Sequence, residues 1–220
     1  MIDLDALAGG RIVDLTHPVT PGMPVFPGDP EVSFATHVEV ADGGYHVTRL
    51  RLGTHSGTHV DAPRHIRDDG SGVDAFDLAA CFGPARVVDV TAGPGSTITA
   101  ADCDLDLASV RRGDRLLLRT GWSTRFGADD FFTAFPSLDL DLAERLADAG
   151  VALVGLEQPS VSQTDHLAVH AALLDAGVVL VETLAGLPQL TRERVLLACL
   201  PLKVVGGDGA PVRALAWEPT

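Results

Sequence analysis

The sequence predicts an α/β domain in which a hairpin-rich start is followed by alternating strands and helices. The chain has 220 residues, of which 46% are hydrophobic and 21% charged. This is enough material for one sizeable core, so we expect a single domain over residues 1–220. In the second half, short apolar runs typical of buried strands alternate with two segments of helical periodicity. No internal repeat or linker-like stretch divides the chain.

The first quarter of the chain is predicted to be extended. A strand is expected at residues 11–16, and a loop stiffened by four prolines follows over residues 19–30. β-branched and aromatic residues then alternate with others over residues 32–40 and 45–53, on either side of an Asp-Gly-Gly sequence. These two runs predict a β-hairpin whose turn contains glycine.

The remaining strands are short apolar runs of the buried type. They are expected at residues 85–91, 114–120, 151–157 and 178–184, with two more around a glycine-rich turn within residues 194–217.

Residues 137–150 are predicted to form a helix. Ser137 is its expected N-cap, Leu142 and Leu146 share one face, and Gly150 ends it.

A second helix is predicted over residues 165–177. Its Leu167, Ala171 and Leu174 are expected to point inward, and Gly177 ends it.

Composition excludes several classes of partner. A net charge of −14 would repel a nucleic acid backbone or an anionic bilayer, so we expect neither as a partner. The N-terminus lacks the pattern of a signal peptide, and no apolar run is long enough for a membrane helix. We therefore expect a cytoplasmic protein. The three cysteines, which form no C-x-x-C pair, are expected to be small buried hydrophobic residues.

The segment LGTHSGTHVDAPRHI, residues 52–66, concentrates side chains that bind metals. Its candidate ligands all have odd numbers: His55, His59, Asp61 and His65. In an extended chain, residues of one parity point to the same side. A straight strand would still spread them over about 33 Å, at roughly 3.3 Å per residue. Gly57 and Pro63 allow the chain to bend, which predicts a convergent cluster.

The chemistry of these side chains points to a divalent cation. Imidazole and carboxylate are the ligands of zinc, manganese and iron(II). Four uncompensated polar side chains on one face of an apolar domain would cost several kcal/mol, which a shared partner avoids.

A second polar patch lies downstream. His166 and His170 stand four residues apart on one predicted helical face, and Glu182 lies in an aliphatic strand. A buried glutamate must be paired, bound to a cation or protonated. His166 by itself is expected to start the helix and face solvent. Motifs for serine hydrolases, nucleotide-binding loops and zinc proteases of the H-E-x-x-H type are absent from the sequence.

The segment His-x-Gly-Thr-His-x-Asp-x-Pro-x-His, which begins at His55, resembles the signature of the cyclase-like metal-dependent hydrolase family. This family includes bacterial kynurenine formamidases and isatin hydrolases. The proline-rich loop, the LLLRTGW strand, the PSV segment at residues 159–161 and the C-terminal region resemble the family too, so the similarity covers nearly the whole chain.

The resemblance implies a swivelling β/β/α domain with a mixed sheet flanked by helices, assembled as a homodimer or homotetramer. It implies a divalent metal, Zn²⁺ or Mn²⁺, present as one ion or two. The implied ligands are His55, His59, Asp61, His170 and Glu182. Asp61 would bridge the two ions, and His65 would be the catalytic acid/base.

The resulting hypothesis is a metal-dependent hydrolase that cleaves the C–N amide bond of a small, aromatic formamide or lactam. Phe26 is the candidate for binding the aromatic ring, with Trp122 and Phe131 as further candidates, although core packing is expected of Phe131. Two alternatives remain open. One is a metal-dependent cyclase or dehydratase acting on a biosynthetic intermediate, and the other is a non-catalytic metal- or ligand-binding module.

Overall fold

The structure, a computed structural model, describes residues 9–219. The strands are β1 (Gly10–Asp14), β2 (Ser33–Val38), β3 (Val47–Arg51), β4 (His59–Asp61), β5 (Phe82–Asp89), β6 (Thr97–Ile98), β7 (Arg115–Arg119), β8 (Ser137–Leu138), β9 (Leu153–Leu156), β10 (Val179–Glu182), β11 (Arg194–Ala198), β12 (Gly209–Pro211) and β13 (Leu215–Pro219). The helices are α1 (Val40–Gly43), α2 (Leu78–Cys81), α3 (Leu140–Ala149) and α4 (His166–Leu174).

Nine of these strands form one mixed sheet, which confirms the predicted α/β class. The strand order is β1-β13-β11-β5-β7-β9-β10-β4-β12. Within this sheet, the four central strands β5, β7, β9 and β10 run parallel, and the remaining pairings are antiparallel. The sheet is curled, so that β1 and β10, which are far apart in the strand order, come together beyond their ends. There the Ala185 N–H donates a hydrogen bond to the Leu15 carbonyl oxygen at 2.9 Å.

Apolar side chains cover both faces of the central strands. In β7, Leu116 and Leu118 belong to a core shared with α3 and α4, whereas Leu117 belongs to the core on the opposite face. This alternation follows from the two-residue period of a strand. Because both faces are buried, a central strand needs a continuous apolar run, which is the pattern that predicted β7.

The predicted N-terminal hairpin is present as the antiparallel pair β2 and β3. Its connection is longer than expected, because the short helix α1 precedes Gly44, which has a φ of +77°.

The C-terminal region differs more from the prediction. Two strands were predicted there, but the structure has three, β11, β12 and β13. The additional strand is the short β12, which pairs with β4 rather than with its neighbours in sequence.

The predicted boundaries and N-cap of α3 were wrong at the start of the helix. The helix begins at Leu140 with Asp139 as N-cap, and Gly150, with a φ of +72°, ends it as predicted. Ser137 lies in β8, whose backbone pairs with β6, and its hydroxyl accepts a hydrogen bond from Gln163 N–H at 2.9 Å. Leu142 and Leu146 are buried, as predicted.

The predicted inward face of α4 was partly wrong. Leu174 is buried, but Leu167 is 68% exposed, and the buried residues in the first two turns are Val169 and His170. Almost every position of this helix is apolar, so periodicity could not define its orientation. Packing against the sheet and the polar site defined it instead.

The remaining expectations concern the cysteines and membranes. Cys81 and Cys199 are buried as expected, but Cys103 is only partly buried. Between residues 9 and 219, no helix is long and apolar enough to cross a bilayer.

Candidate metal centre and active site

The motif strand is bent at both predicted positions. Gly57 has a φ of +67°, a left-handed conformation that favours glycine. Two residues later the chain enters β4, and at Pro63 it turns into a short 3₁₀ helix that ends at His65. β4 lies between β10 and β12, with His59 opposite Glu182. The bends and this pairing bring the sequence-distant ligand candidates to the same place.

The five candidate ligands converge around the carboxylate of Asp61. His55 Nδ1 lies 2.8 Å from Asp61 Oδ1, and His59 Nε2 lies 3.3 Å from the same oxygen. On the other side of the carboxylate, His170 Nε2 lies 3.5 Å from Asp61 Oδ2 and 3.5 Å from Glu182 Oε1. Among these five residues, two groups of three potential ligands, His55–His59–Asp61 and Asp61–His170–Glu182, share one carboxylate.

Two of the imidazoles are oriented by backbone carbonyls. His59 Nδ1 lies 2.8 Å from the Gly57 carbonyl oxygen, and His170 Nδ1 lies 2.8 Å from the His166 carbonyl oxygen. A carbonyl oxygen only accepts, so in both rings Nδ1 carries the proton and donates it. Their Nε2 atoms consequently point toward the carboxylates, with a lone pair available in the neutral ring.

Whether a cation fits this centre can be judged from three polar atoms of the second group. Asp61 Oδ2, His170 Nε2 and Glu182 Oε1 are buried without a hydrogen bond. Leaving a buried polar atom unpaired costs about 1–3 kcal/mol, and more when the group is charged. A divalent ion among these three atoms would satisfy all of them at once, and a nitrogen with two carboxylate oxygens suits zinc or manganese. The residues therefore fit a metal ion.

Electrostatics at this centre favours positive charge. Burial by itself raises the pKa of a carboxyl group, but the imidazoles of His170, His55 and His59 hold the pKa of Asp61 well below its usual range. Burial and the charge of Asp61 raise the pKa of Glu182. The negative charge of the two carboxylates can be balanced either by protons on the imidazoles or by a bound cation. A metal ion that binds here would replace those protons, so its binding would release them.

His65 lies next to both groups of potential ligands. Its ring centroid is 4.2 Å from that of His55 and 5.4 Å from that of His170. Burial lowers the pKa of His65 to about 4, despite the nearby Asp61, so its imidazole is neutral at pH 7. The residue also lines the cavity described next.

A cavity of about 220 Å³ opens over the candidate ligands His55, His59 and Glu182. Drug-sized ligands occupy pockets of roughly 300–1,000 Å³, so this space suits one small molecule. The parallel strand β10 ends at Glu182, and Pro159 and Ser160 of the cavity wall follow β9. Carboxyl ends of parallel strands are the usual place for ligand sites in α/β sheets.

The aromatic wall of the cavity is only partly the one expected. Phe26 lines the cavity, together with Phe126 and Phe132, which the sequence analysis missed. The expectation that Trp122 could line it was wrong: Trp122 and Phe131 are 4% and 0% exposed and pack behind Phe126 and Phe132. Four phenylalanines between residues 126 and 135 were the available signal.

Two further polar residues depart from the expectations. His166 does start α4, but it is half-buried rather than solvent-facing, lines the cavity and has Nδ1 3.2 Å from Ser160 Oγ. Asp208 was not predicted as a site residue, yet its Oδ2 lies 3.1 Å from His55 Nε2. A single acid within a glycine-rich turn was the only local sign of it.

Comparison with known sequences identifies close relatives. The model of the family described as "Putative cyclase" matches residues 13–163. A kynurenine formamidase of Salinibacter ruber is 41% identical over 209 residues, which cover 93% of this chain and 96% of that protein.

Solved structures show the same fold. An isatin hydrolase bound to the product analogue thioisatinate superposes with a TM-score of 0.86 at 25% identity, with both chains covered completely. A potential metal-dependent hydrolase with cyclase activity gives a TM-score of 0.81 at 28% identity, covering 96% of this chain and 99% of the other.

Proposed function

Because this chain belongs to the cyclase family of metal-dependent hydrolases, we propose that it hydrolyses the C–N amide bond of a small aromatic formamide or lactam. The observation that carries the proposal is the shared centre: two groups of three ligands around Asp61, with three buried polar atoms that lack hydrogen bonds. The kynurenine formamidase and isatin hydrolase relatives support an arylformamidase-like activity.

The proposed ligands are His55, His59, Asp61, His170 and Glu182, which would hold one or two ions of Zn²⁺ or Mn²⁺. When bound, a divalent metal lowers the pKa of water from about 15.7 toward 7 and polarises a carbonyl oxygen. The shared carboxylate of Asp61 supports a site for two ions.

His65 is the proposed acid/base. It lies beside both ligand groups and faces the cavity, so a neutral imidazole there can take a proton from the attacking water. It can then give that proton to the departing nitrogen, which would otherwise leave as an anion.

The substrate is proposed to be aromatic because three phenylalanines line the cavity. Phe26 and Phe132 meet edge to face, with ring centroids 5.9 Å apart, and Phe126 completes the wall. Such a wall suits a flat ring, while His166 and Ser160 offer polar contacts on the cavity wall.

Metal removal tests this function. Protein treated with a strong chelator is expected to lose hydrolysis of N-formylaniline or isatin and to regain it with Zn²⁺ or Mn²⁺. His59→Ala is the control, because it should stay folded but fail to regain activity; a domain of this size does not need the metal to form its core. Activity that survives chelation would contradict the proposal.

The cyclase alternative keeps one observation in its favour, since a structural relative is described as having cyclase activity. Solvent ¹⁸O distinguishes the two reactions, because hydrolysis places it in the product and cyclisation does not. A non-catalytic module would close the metal's coordination sphere with protein atoms. The cavity above His55, His59 and Glu182 supports an open site instead.

We also propose that the chain forms a homodimer or homotetramer. The hairpin β2–β3 is a separate two-stranded sheet, and all five residues of β3 are exposed. Tyr45 and Leu50 are 59% and 56% exposed there. A second copy of the chain could cover these exposed apolar side chains. The cytoplasmic location stays a prediction.

A further inference from the structure

His55 is oriented differently from the other two candidate ligand histidines. His59 and His170 bind backbone carbonyls through Nδ1 and direct Nε2 to the centre. In His55 the roles are reversed, since Nδ1 faces Asp61 at 2.8 Å and Nε2 faces the carboxylate of Asp208 at 3.1 Å. The ring therefore depends on a side chain, rather than on the backbone, for its orientation.

The fold brings Asp208 to this position through strand pairing. Asp208 immediately precedes β12, whose Gly209 lies opposite Asp61 in β4. The carbonyl of Asp208 accepts a hydrogen bond from Ala62 N–H at 2.9 Å. The backbone of Asp208 is thus attached to the strand that carries the motif, and its side chain reaches His55, 153 positions earlier in the sequence.

Gly209 provides the space that the ring of His55 needs. A Cβ atom at this position would lie 2.7 Å from Cε1 of His55 and 2.8 Å from the carbonyl oxygen of Val60. Both distances are too short for a side chain, so His55 packs directly on the glycine backbone. Asp208 and Gly209 together define where this ring lies and which nitrogen faces the centre.

We propose that Asp208 is a positioning residue that accepts the Nε2–H of His55 and so presents Nδ1 of that ring to the metal. This inference rests on the proposed metal site and adds to it a residue outside the motif. A carboxylate partner fixes the tautomer of a ligand histidine and makes the ring a stronger donor, and its loss typically weakens metal affinity 10- to 100-fold.

The test compares metal affinities of Asp208→Ala and Asp208→Asn with that of the unmodified protein. Metal-depleted protein is titrated with Zn²⁺ in a calorimeter, with a competing chelator when binding is tight. Asp208→Ala is expected to weaken binding about 10- to 100-fold. Asp208→Asn is expected to lose less, because its amide oxygen can still accept the hydrogen bond. Asp148→Asn, an exposed position on α3, controls for the change in net charge.

The outcomes separate this inference from the proposed function. The Asp208 side chain is 43% exposed, so both variants should fold, which circular dichroism checks. If the unmodified protein binds Zn²⁺ and Asp208→Ala binds it within twofold of the same affinity, the positioning role is wrong. If Asp148→Asn and Asp208→Ala lose the same amount of Zn²⁺ affinity, the loss is an effect of net charge, and the positioning role is again wrong. If the unmodified protein binds no Zn²⁺, the metal site itself is wrong.

Discussion

Two half-buried histidines line the same cavity but have different surroundings. The ring of His65 contacts both His55 and His170, and thus both ligand groups. The ring of His166 contacts His170 with centroids 4.3 Å apart, and its Nδ1 lies at the hydroxyl of Ser160. Contact with both groups is consistent with the proposed role of His65 in proton transfer, whereas the position of His166 beside Ser160 favours a proposed contact with the substrate.

At the residue scale, His65→Ala is therefore expected to lower kcat about 100- to 10,000-fold, the range typical of a lost acid/base. Zn²⁺ affinity should change little, because His65 is outside the proposed ligand set. Steady-state kinetics with N-formylaniline or isatin and calorimetry measure the two effects.

His166→Ala is the matched control for that experiment. It removes a histidine from the same cavity and is expected to raise KM more than it lowers kcat. Equal losses of kcat in the two variants would show that His65 has no special part in proton transfer. Loss of metal binding in His65→Ala would make that residue a ligand instead.

Two neighbouring parallel strands end in a hydrogen-bonded connection that supports the aromatic wall. β7 and β9 are paired, so the residues that follow them, Thr120 and Glu157, lie side by side. The buried carboxylate of Glu157 accepts hydrogen bonds from the backbone N–H of Thr120 at 2.7 Å and of Gly121 at 2.5 Å, and from the Ser123 hydroxyl. Burial raises the pKa of Glu157, although these donors oppose the shift. This connection holds the start of the segment that leads to Phe126.

At the element scale, Glu157→Leu is expected to lower the free energy of unfolding by about 2–4 kcal/mol, since two partly buried backbone N–H groups and the Ser123 hydroxyl lose their acceptor. KM for the aromatic substrate should rise, because Phe126 follows this segment. Urea unfolding and steady-state kinetics measure the two changes. Glu157→Gln keeps an acceptor oxygen and should lose less than half as much stability; an equal loss would mean that packing, rather than hydrogen bonding, matters at this position.

The two larger apolar cores of the molecule lie on opposite faces of the nine-stranded sheet. α3 and α4 cover one face, and the curled sheet encloses the other core. This arrangement supports the expectation of one domain, which stays a prediction for the full span 1–220. The hairpin β2–β3 contributes to neither core, so its apolar residues remain on the surface.

At the scale of the whole molecule, Leu50→Glu is expected to shift the protein toward monomers, because a charge would be buried where the second copy covers the hairpin. Analytical ultracentrifugation at micromolar concentrations measures the shift. Leu167→Glu is the control, since Leu167 is 68% exposed on α4, outside the hairpin. If only Leu167→Glu makes the protein dissociate into monomers, the interface does not lie on the hairpin.

The sequence by itself determined the features that depend on near neighbours. Apolar runs defined the central strands, Gly57 and Pro63 marked the bends, and the shared parity of His59 and Asp61 put their side chains on the same side of β4. These features follow from backbone preferences and periodicity, which act over a few residues.

Only the tertiary structure decided which distant residues meet. The inward face of α4 was predicted only in part, and the pairing of β12 with β4, the contact of Asp208 with His55 and the places of Phe126 and Phe132 in the cavity wall were not predicted. An almost wholly apolar helix can bury any face, and an acid in a glycine-rich turn carries no local sign of its partner. Such contacts are selected by the packing of the complete chain, because their energy depends on residues far apart in sequence.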